Sequence, residues 1–321
     1  MLSVNEYLDL IESRIVNLEL PAEPAGLYEP IRYALSCGGK RLRPVLTLAT
    51  ADALCGDPMR AISQALAVEM FHNFTLLHDD VMDHADMRRG KPTVHRRWSE
   101  RTAILSGDTM LTLSTILLTR RAAPETLHPL LTMMNRTAVE VYEGQQLDMD
   151  FEQRTDVTTD EYMEMIRLKT SVLLGCACAL GAIVARASDK ALKAMYTYGE
   201  QLGIAFQLQD DYLDTFGDPL VFGKEIGGDI LNDKKTWLLI TALAEDTEGV
   251  MRRQITSPSA PAEKIERVRN VYTALDLPAR CQILIDSYVD RAIAALDEAG
   301  LTPAAHDFFA SIADRSRTRT H

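Results

Sequence analysis

Residues 76–83 read LLHDDVMD and residues 207–214 read QLQDDYLD. Each apolar run ends in three aspartates within five residues, Asp79, Asp80 and Asp83 first, then Asp210, Asp211 and Asp214. Such trios are poor helix material, because Asp has mediocre helix propensity and like charges at helical spacing repel. On a helix, however, residues four apart lie nearly over each other. Asp79 and Asp83 therefore share a face, as do Asp210 and Asp214, and the middle aspartate flanks them. Each motif is a carboxylate claw, and two claws on facing helices of a bundle build one acidic site. Oxygen-only donors favour a hard cation, and Mg²⁺ in particular is held by a few carboxylates together with substrate phosphates. A basic, turn-prone segment follows each claw, RRGKPT at 88–93 and FGKEIGG at 222–228. One DDxxD alone reads as an acidic helix end; two, each followed by a Gly-Lys pair, point to a site. A ferritin-like di-iron bundle is excluded by donor type, since it uses Glu-x-x-His pairs.

The rest of the chain reads as all-α. Helical 3.6-residue periodicity runs through 7–18, 61–84, 101–120, 127–149, 159–185, 190–216, 233–244, 260–275 and 278–296, and strand signals are scarce. Pro21, Pro24, Pro92, Pro124, Pro219, Pro258 and Pro303 fall at expected loops. No composition shift or linker divides the 321 residues, so a single domain over 1–321 is expected. Five cysteines without zinc spacing fit a reducing, cytoplasmic setting, and the acidic, amphipathic N-terminus reads as a first helix and not as a signal peptide. The apolar stretch at 171–185 is shorter than the roughly 20 residues a membrane span needs and reads as a close-packed core helix. A net charge of −12 argues against nucleic-acid binding. Against that acidity the basic islands KRLR (40–43), RRGK (88–91) and KK (234–235) stand out as local anion sites.

These motifs together resemble the trans-isoprenyl diphosphate synthases, the polyprenyl synthetases. The resemblance runs in order through GGKRLRP (38–44), FHNFTLLHDDVMDHADMRRGKPTVH (71–95), GD (107–108), GQQLD (144–148), KTS (169–171), FQLQDDYLD (206–214) and FGKEIGGDILNDKKT (222–236). It implies a large helical bundle around a central cavity, usually a homodimer. The implied activity is Mg²⁺-dependent head-to-tail condensation of isopentenyl diphosphate with an allylic diphosphate.

Ionising an allylic C–O bond leaves a carbocation and a departing diphosphate, so negative charge must be stabilised while water is kept from the cation. The resemblance implies that Asp79 and Asp83 hold two Mg²⁺ ions and Asp210 a third, with Asp80, Asp211 and Asp214 as nearby ligands or as residues that support the ligands from behind. Arg88, Lys169, Lys224 and Lys234 match the family's contacts to the allylic diphosphate. Lys40, Arg43, His72 and Arg89 match its isopentenyl diphosphate site. Thr170 and Gln207 match the positions that turn oxygens toward the cation. His78 and His84 read as ordinary histidines, and Arg41 as surface. Two departures are visible: Asp233 stands where many members carry Gly, and Thr109 where an aromatic residue often follows Gly-Asp.

A class I terpene cyclase carries a different second metal motif, and non-catalytic partner subunits of heteromeric synthases usually lack one or both aspartate motifs. Product length rests on the residues before the first claw. Phe74 lies five residues before Asp79, roughly 7 to 8 Å deeper along the helix. An aromatic residue at that position limits chain length in short-chain members of the family. With the small Thr75 beside it and no insertion in the claw, the pattern resembles geranylgeranyl (C20) synthases more than farnesyl (C15) or longer-chain ones. Phe71, one turn further back, is a second candidate floor. Phe74→Ala is expected to shift products by at least one C5 unit, and Phe71→Ala with Phe74→Ala by more. Chromatography of the dephosphorylated products reads the shift, and an unchanged ladder from the folded variant places the floor elsewhere.

Overall fold

The structure, a computed structural model, describes residues 1–217 and 226–317. Among the described residues the chain is all-α apart from one hairpin of two-residue strands. Its elements form two compact units, Met1–Asn135 with Cys176–Met195, and Arg136–Gly175 with Tyr196–His321.

In the first unit, α1 (Val4–Val16) starts at a capping box, Ser3 accepting from the Glu6 N–H while Glu6 reaches back, and it buries Tyr7, Ile11 and Ile15 on one face. The helices α2 (Ala25–Ser36) and α3 (Leu42–Cys55) are not legible in the sequence as periodic stretches. The reason in α3 is burial on all sides: every residue from Pro44 to Ala51 is buried, which erases a polar face. The long helix α4 (Ile62–Met82) carries the first claw at its C-terminal end. It packs on α6 (Glu100–Thr119), where Ser114 donates to the Ala67 carbonyl at 2.8 Å and Gln64 to the Leu118 carbonyl at 2.8 Å. Between them come the strands β1 (Met87–Arg88) and β2 (Lys91–Pro92) and the short α5 (Val94–Arg97). The strands pair Met87 with Pro92 and Arg88 with Lys91, and the two residues of the turn, Arg89 and Gly90, both have positive φ (51° and 73°), the geometry a two-residue hairpin turn requires.

The helix α7 (Pro124–Glu152) begins at a proline and includes Pro129 in its second turn. It is followed by α8 (Thr159–Ile166), a π-helical turn over Arg167–Ser171, α9 (Val172–Val184) and α10 (Asp189–Phe216), which carries the second claw. Residues 172–182 are all buried, as expected of a core helix. Among the described residues two helical stretches, Glu100–Thr119 and Thr159–Val184, are long and apolar enough to cross a membrane; the apolar window of the second is 83% buried in the fold, that of the first 39%. Beyond the second claw lie α11 (Gly228–Leu231), α12 (Trp237–Ala244), α13 (Val250–Thr256), α14 (Pro261–Ala274), α15 (Leu277–Leu296) and α16 (Pro303–Arg317). Pro219 lies outside the described residues.

Glycines set the closest helix contacts. In the first unit a methyl group on Gly181 of α9 would collide with the Thr47 carbonyl of α3. In the second, two helices press on the π-helical turn: a Cβ on Gly144 of α7 would lie 2.7 Å from the Leu168 carbonyl carbon, and one on Gly203 of α10 would lie 2.6 Å from Ser171 Cα. Gly203→Ala is therefore expected to destabilise the fold by about 1–3 kcal/mol through overpacking. Denaturant unfolding reads this directly, and an unchanged midpoint would show that the contact relaxes without cost.

Candidate active site

Local geometry explains why each claw is built as it is. At the end of α4, Asp79 is half-buried, Asp83 exposed and Asp80 buried. Asp80 Oδ1 accepts from Arg88 Nε at 2.7 Å. Burial raises the Asp80 pKa above the ordinary carboxylate value, and Arg88 opposes that shift. The hairpin is thus tied to the claw through its first strand.

The hairpin tip reaches the KRLR segment. Arg89 donates through Nη1 to the Gly38 carbonyl. At Gly39, φ 135°, a Cβ would lie 2.6 Å from Arg89 Nη1, so a side chain there would displace that guanidinium. In the same unit Arg43 Nη1 donates to His72 Nε2 at 3.2 Å. Burial, and then the charges of Arg43, Arg89, Arg88 and Arg41, hold the His72 pKa well below its ordinary value, so the ring is neutral and Nε2 accepts. The structure therefore brings Arg43, His72 and Arg89 into one basic cluster, with Lys40 exposed at the start of the same segment.

At Arg41 the structure corrects the surface reading, for this residue is 4% exposed. Its guanidinium donates to Glu12 at 2.8 Å, to Glu69 at 2.6 Å and to the Leu35 carbonyl at 2.6 Å. One buried cation thereby joins α1, α2 and α4, with Asn73 also donating to Glu69 at 2.8 Å. Sequence cannot separate this arginine from its neighbours, because only the backbone turn at Arg41, φ 46°, sends it inward. His78 Nε2 lies 3.0 Å from the Ile104 carbonyl oxygen. Gly107 of the Gly-Asp pair makes room for that ring. Phe74 and Phe71 are buried edge to face, with centroids 5.5 Å apart, and Thr75 donates to the His72 carbonyl at 2.8 Å.

In the second unit Asp210 and Asp214 are half-buried and Asp211 is 5% exposed. Both Asp211 oxygens meet protein donors: Tyr162 O–H at Oδ2, and Gln207 Nε2 at Oδ1, 2.9 Å away. Burial pushes the Asp211 carboxyl up to about 7, against the pull of Lys234. Thr170 Oγ1 donates to Gln207 Oε1 at 3.0 Å, so the two residues matched to the cation site do meet. Lys169 pairs with Asp148, the last residue of GQQLD, one turn beyond the glycine that admits the Lys169 backbone. Sequence reasoning misses the parts played by Asp148 and Tyr162; the Gly-x-x-x-Asp spacing is a signal for the first, and nothing marks the second.

Asp214 anchors the segment after the claw. Its carbonyl accepts from the Gly227 N–H at 2.7 Å, and its carboxylate from the Asp229 N–H at 2.9 Å. Lys234 lies 3.6 Å from Asp229. Burial lowers the Lys234 pKa, but Asp229, Asp211, Asp148 and Asp214 outweigh it and hold the amine above its ordinary value. Asp233, where a glycine is common, adopts φ 48°, a left-handed conformation that Asp tolerates better than most residues. Lys264 donates to its carboxylate at 2.8 Å. Lys224 lies outside the described residues.

The donor set fits Mg²⁺. Among the described residues no three His, Cys, Asp or Glu side chains form a closed metal cage. The outer carboxylates instead come as helical pairs, the arrangement Mg²⁺ uses when water and phosphate complete its shell.

The sequence profile described as Polyprenyl synthetase matches residues 24–275. A geranylgeranyl pyrophosphate synthase of Geoglobus acetivorans is 42% identical over 265 residues, 82% of each chain. A geranylgeranyl diphosphate synthase of Saccharolobus solfataricus is 38% identical over 309 residues, 92% of this chain and 90% of that one. Among solved structures, a crystal structure of a geranylgeranyl pyrophosphate synthase aligns over 100% of both chains, with a TM-score of 0.93 at 41% identity.

Proposed function

The chain belongs to the polyprenyl synthetase family, and from that premise we propose that it is a short-chain prenyltransferase that condenses isopentenyl diphosphate with allylic diphosphates to give geranylgeranyl diphosphate. The observation that carries this reading is the repetition, once in each unit, of a carboxylate claw beside a basic cluster. The similarity to geranylgeranyl diphosphate synthases, at 38–42% identity, supports the C20 product.

The outer carboxylates Asp79, Asp83, Asp210 and Asp214 would hold Mg²⁺, which when bound neutralises charge on the departing diphosphate. The middle pair acts differently, since Asp80 braces the hairpin and Asp211 braces Gln207. Arg88, Lys169 and Lys234 supply fixed positive charge for the allylic diphosphate, a role Lys224 shares by resemblance. Lys40, Arg43 and Arg89 bind the isopentenyl diphosphate, and neutral His72 adds a donor there without adding charge. Thr170 and Gln207 offer oxygens to the carbocation. The single domain is supported by a family match that runs through segments of both units. Five unbridged cysteines support a reducing, cytoplasmic setting.

A homodimer is supported by the exposed apolar side chains of α6, Ile104 (46%), Leu105 (59%) and Ile116 (47%). Light scattering is expected to give twice the 35.8 kDa chain mass; a 35.8 kDa species rejects the dimer.

The activity is tested with labelled isopentenyl diphosphate and each of the C5, C10 and C15 primers, with Mg²⁺ or a chelator. A C20 product that needs Mg²⁺ is expected. No condensation with any primer overturns the reading, and termination at C15 makes the enzyme a farnesyl diphosphate synthase. Asp83→Asn should keep the fold and lower kcat by about two orders of magnitude or more. Near-normal turnover would remove Asp83 from the metal site.

A further inference from the structure

Tyr162 has no part in the reaction as described so far, yet it stands behind the residues that face the cation; the inference drawn from it rests on the proposed function. It lies in α8 at 2% exposure, and its hydroxyl donates to Asp211 Oδ2. The phenol O–H is the donor of the pair and the Asp211 oxygen its acceptor. The other Asp211 oxygen accepts from Gln207 Nε2 at 2.9 Å. Both Asp211 oxygens accept, one from Tyr162 and one from Gln207, so the carboxyl group takes the NH₂ end of the Gln207 amide and leaves the carbonyl end for Thr170. Thr170 Oγ1 donates to that carbonyl at 3.0 Å. A hydroxyl has one proton, and with that proton directed at Gln207, the remaining side of Thr170 Oγ1 carries lone pairs alone.

We propose that Tyr162 is a positioning residue that, through Asp211, sets the donor and acceptor direction of the Gln207–Thr170 pair, so that Thr170 presents oxygen lone pairs and no proton to the allylic carbocation. The direction matters because a hydroxyl proton pointed at a developing cation repels it, whereas a lone pair stabilises it. Without the Tyr162 donor the carboxylate loses one of the two bonds that fix its plane. The amide then loses the partner that distinguishes its two ends. Gly203 supports the same arrangement from below, since its close approach to Ser171 brings α10, and with it Gln207 one turn on, against the π-helical turn that carries Thr170.

The test is a double-mutant cycle on kcat with Tyr162→Phe, Gln207→Ala and the pair, run with both KM values and a thermal melt. Tyr162→Phe is expected to lower kcat by about tenfold to a hundredfold and to leave both KM values within about threefold of wild type, since the loss falls on the transition state alone. The pair is expected to be no slower than Gln207→Ala, because Tyr162 acts through Gln207. A kcat within about twofold of wild type in folded Tyr162→Phe, or losses that simply multiply in the pair, would overturn the proposal. Should Tyr162→Phe fail to fold, Asp211→Asn with and without Tyr162→Phe carries the comparison. Equal kcat values support the proposal, and a further loss beyond about threefold overturns it. Wild-type turnover separates the two levels: no condensation by wild type overturns the function itself, whereas an active wild type with an unaffected Tyr162→Phe overturns this inference alone.

Discussion

A carboxylate taken out of water must be met by donors, and this constraint organises the protein around its two acidic motifs. A DDxxD at a helix end cannot keep all three aspartates on one face; the middle one is carried sideways into the packing. In α4 that residue is Asp80 and its answer is Arg88; in α10 it is Asp211, answered by Tyr162 and Gln207. Each pairing fixes something beyond itself. Arg88 sets the hairpin, whose tip then delivers Arg89 to the Gly38 carbonyl. Gln207, held by Asp211, accepts from Thr170. What looks from outside like two clusters of excess negative charge is, inside each unit, the anchor for the groups around it.

Close backbone approach does the remaining positioning. The KTS segment sits in a π-helical turn, a local irregularity that often marks functional positions. It is pressed by Gly144 on one side and Gly203 on the other. One turn beyond each glycine lies the residue that meets the turn's side chains, Asp148 against Lys169 and Gln207 against Thr170. The GQQLD motif thus has two physical components, a glycine for contact and an aspartate for charge. Asp214 plays a comparable part toward the following segment, receiving the Gly227 and Asp229 N–H groups so that Lys234 is held within the field of four aspartates.

The all-α class and most long helices are legible because amphipathic periodicity survives wherever one face meets solvent. It fails for α3, whose burial on all sides leaves no polar face, and for α2, a twelve-residue helix with Pro30 inside it. Asp83, exposed at a helix end, is as visible in the sequence as in the structure. Tyr162 and the buried Arg41 are not, because their roles depend on partners distant in the chain: Asp211 is 49 residues from Tyr162, and Glu69 is 28 from Arg41. Asp233 shows the opposite case. The departure from glycine is visible, but the left-handed backbone at Asp233 and the Lys264 contact to its carboxylate are not.

The central claim is the division of labour within each claw, outer carboxylates for metal and diphosphate and middle carboxylates for the protein itself. It is tested most directly by thermal melts with and without Mg²⁺ plus inorganic pyrophosphate. Wild type should gain stability when both are present, about 2.7 kcal/mol at a hundredfold excess over Kd. Asp79→Asn and Asp210→Asn should lose that gain, while Asp80→Asn and Asp211→Asn should keep it whatever their own baseline. A gain lost as fully in the middle variants as in the outer ones would contradict the account.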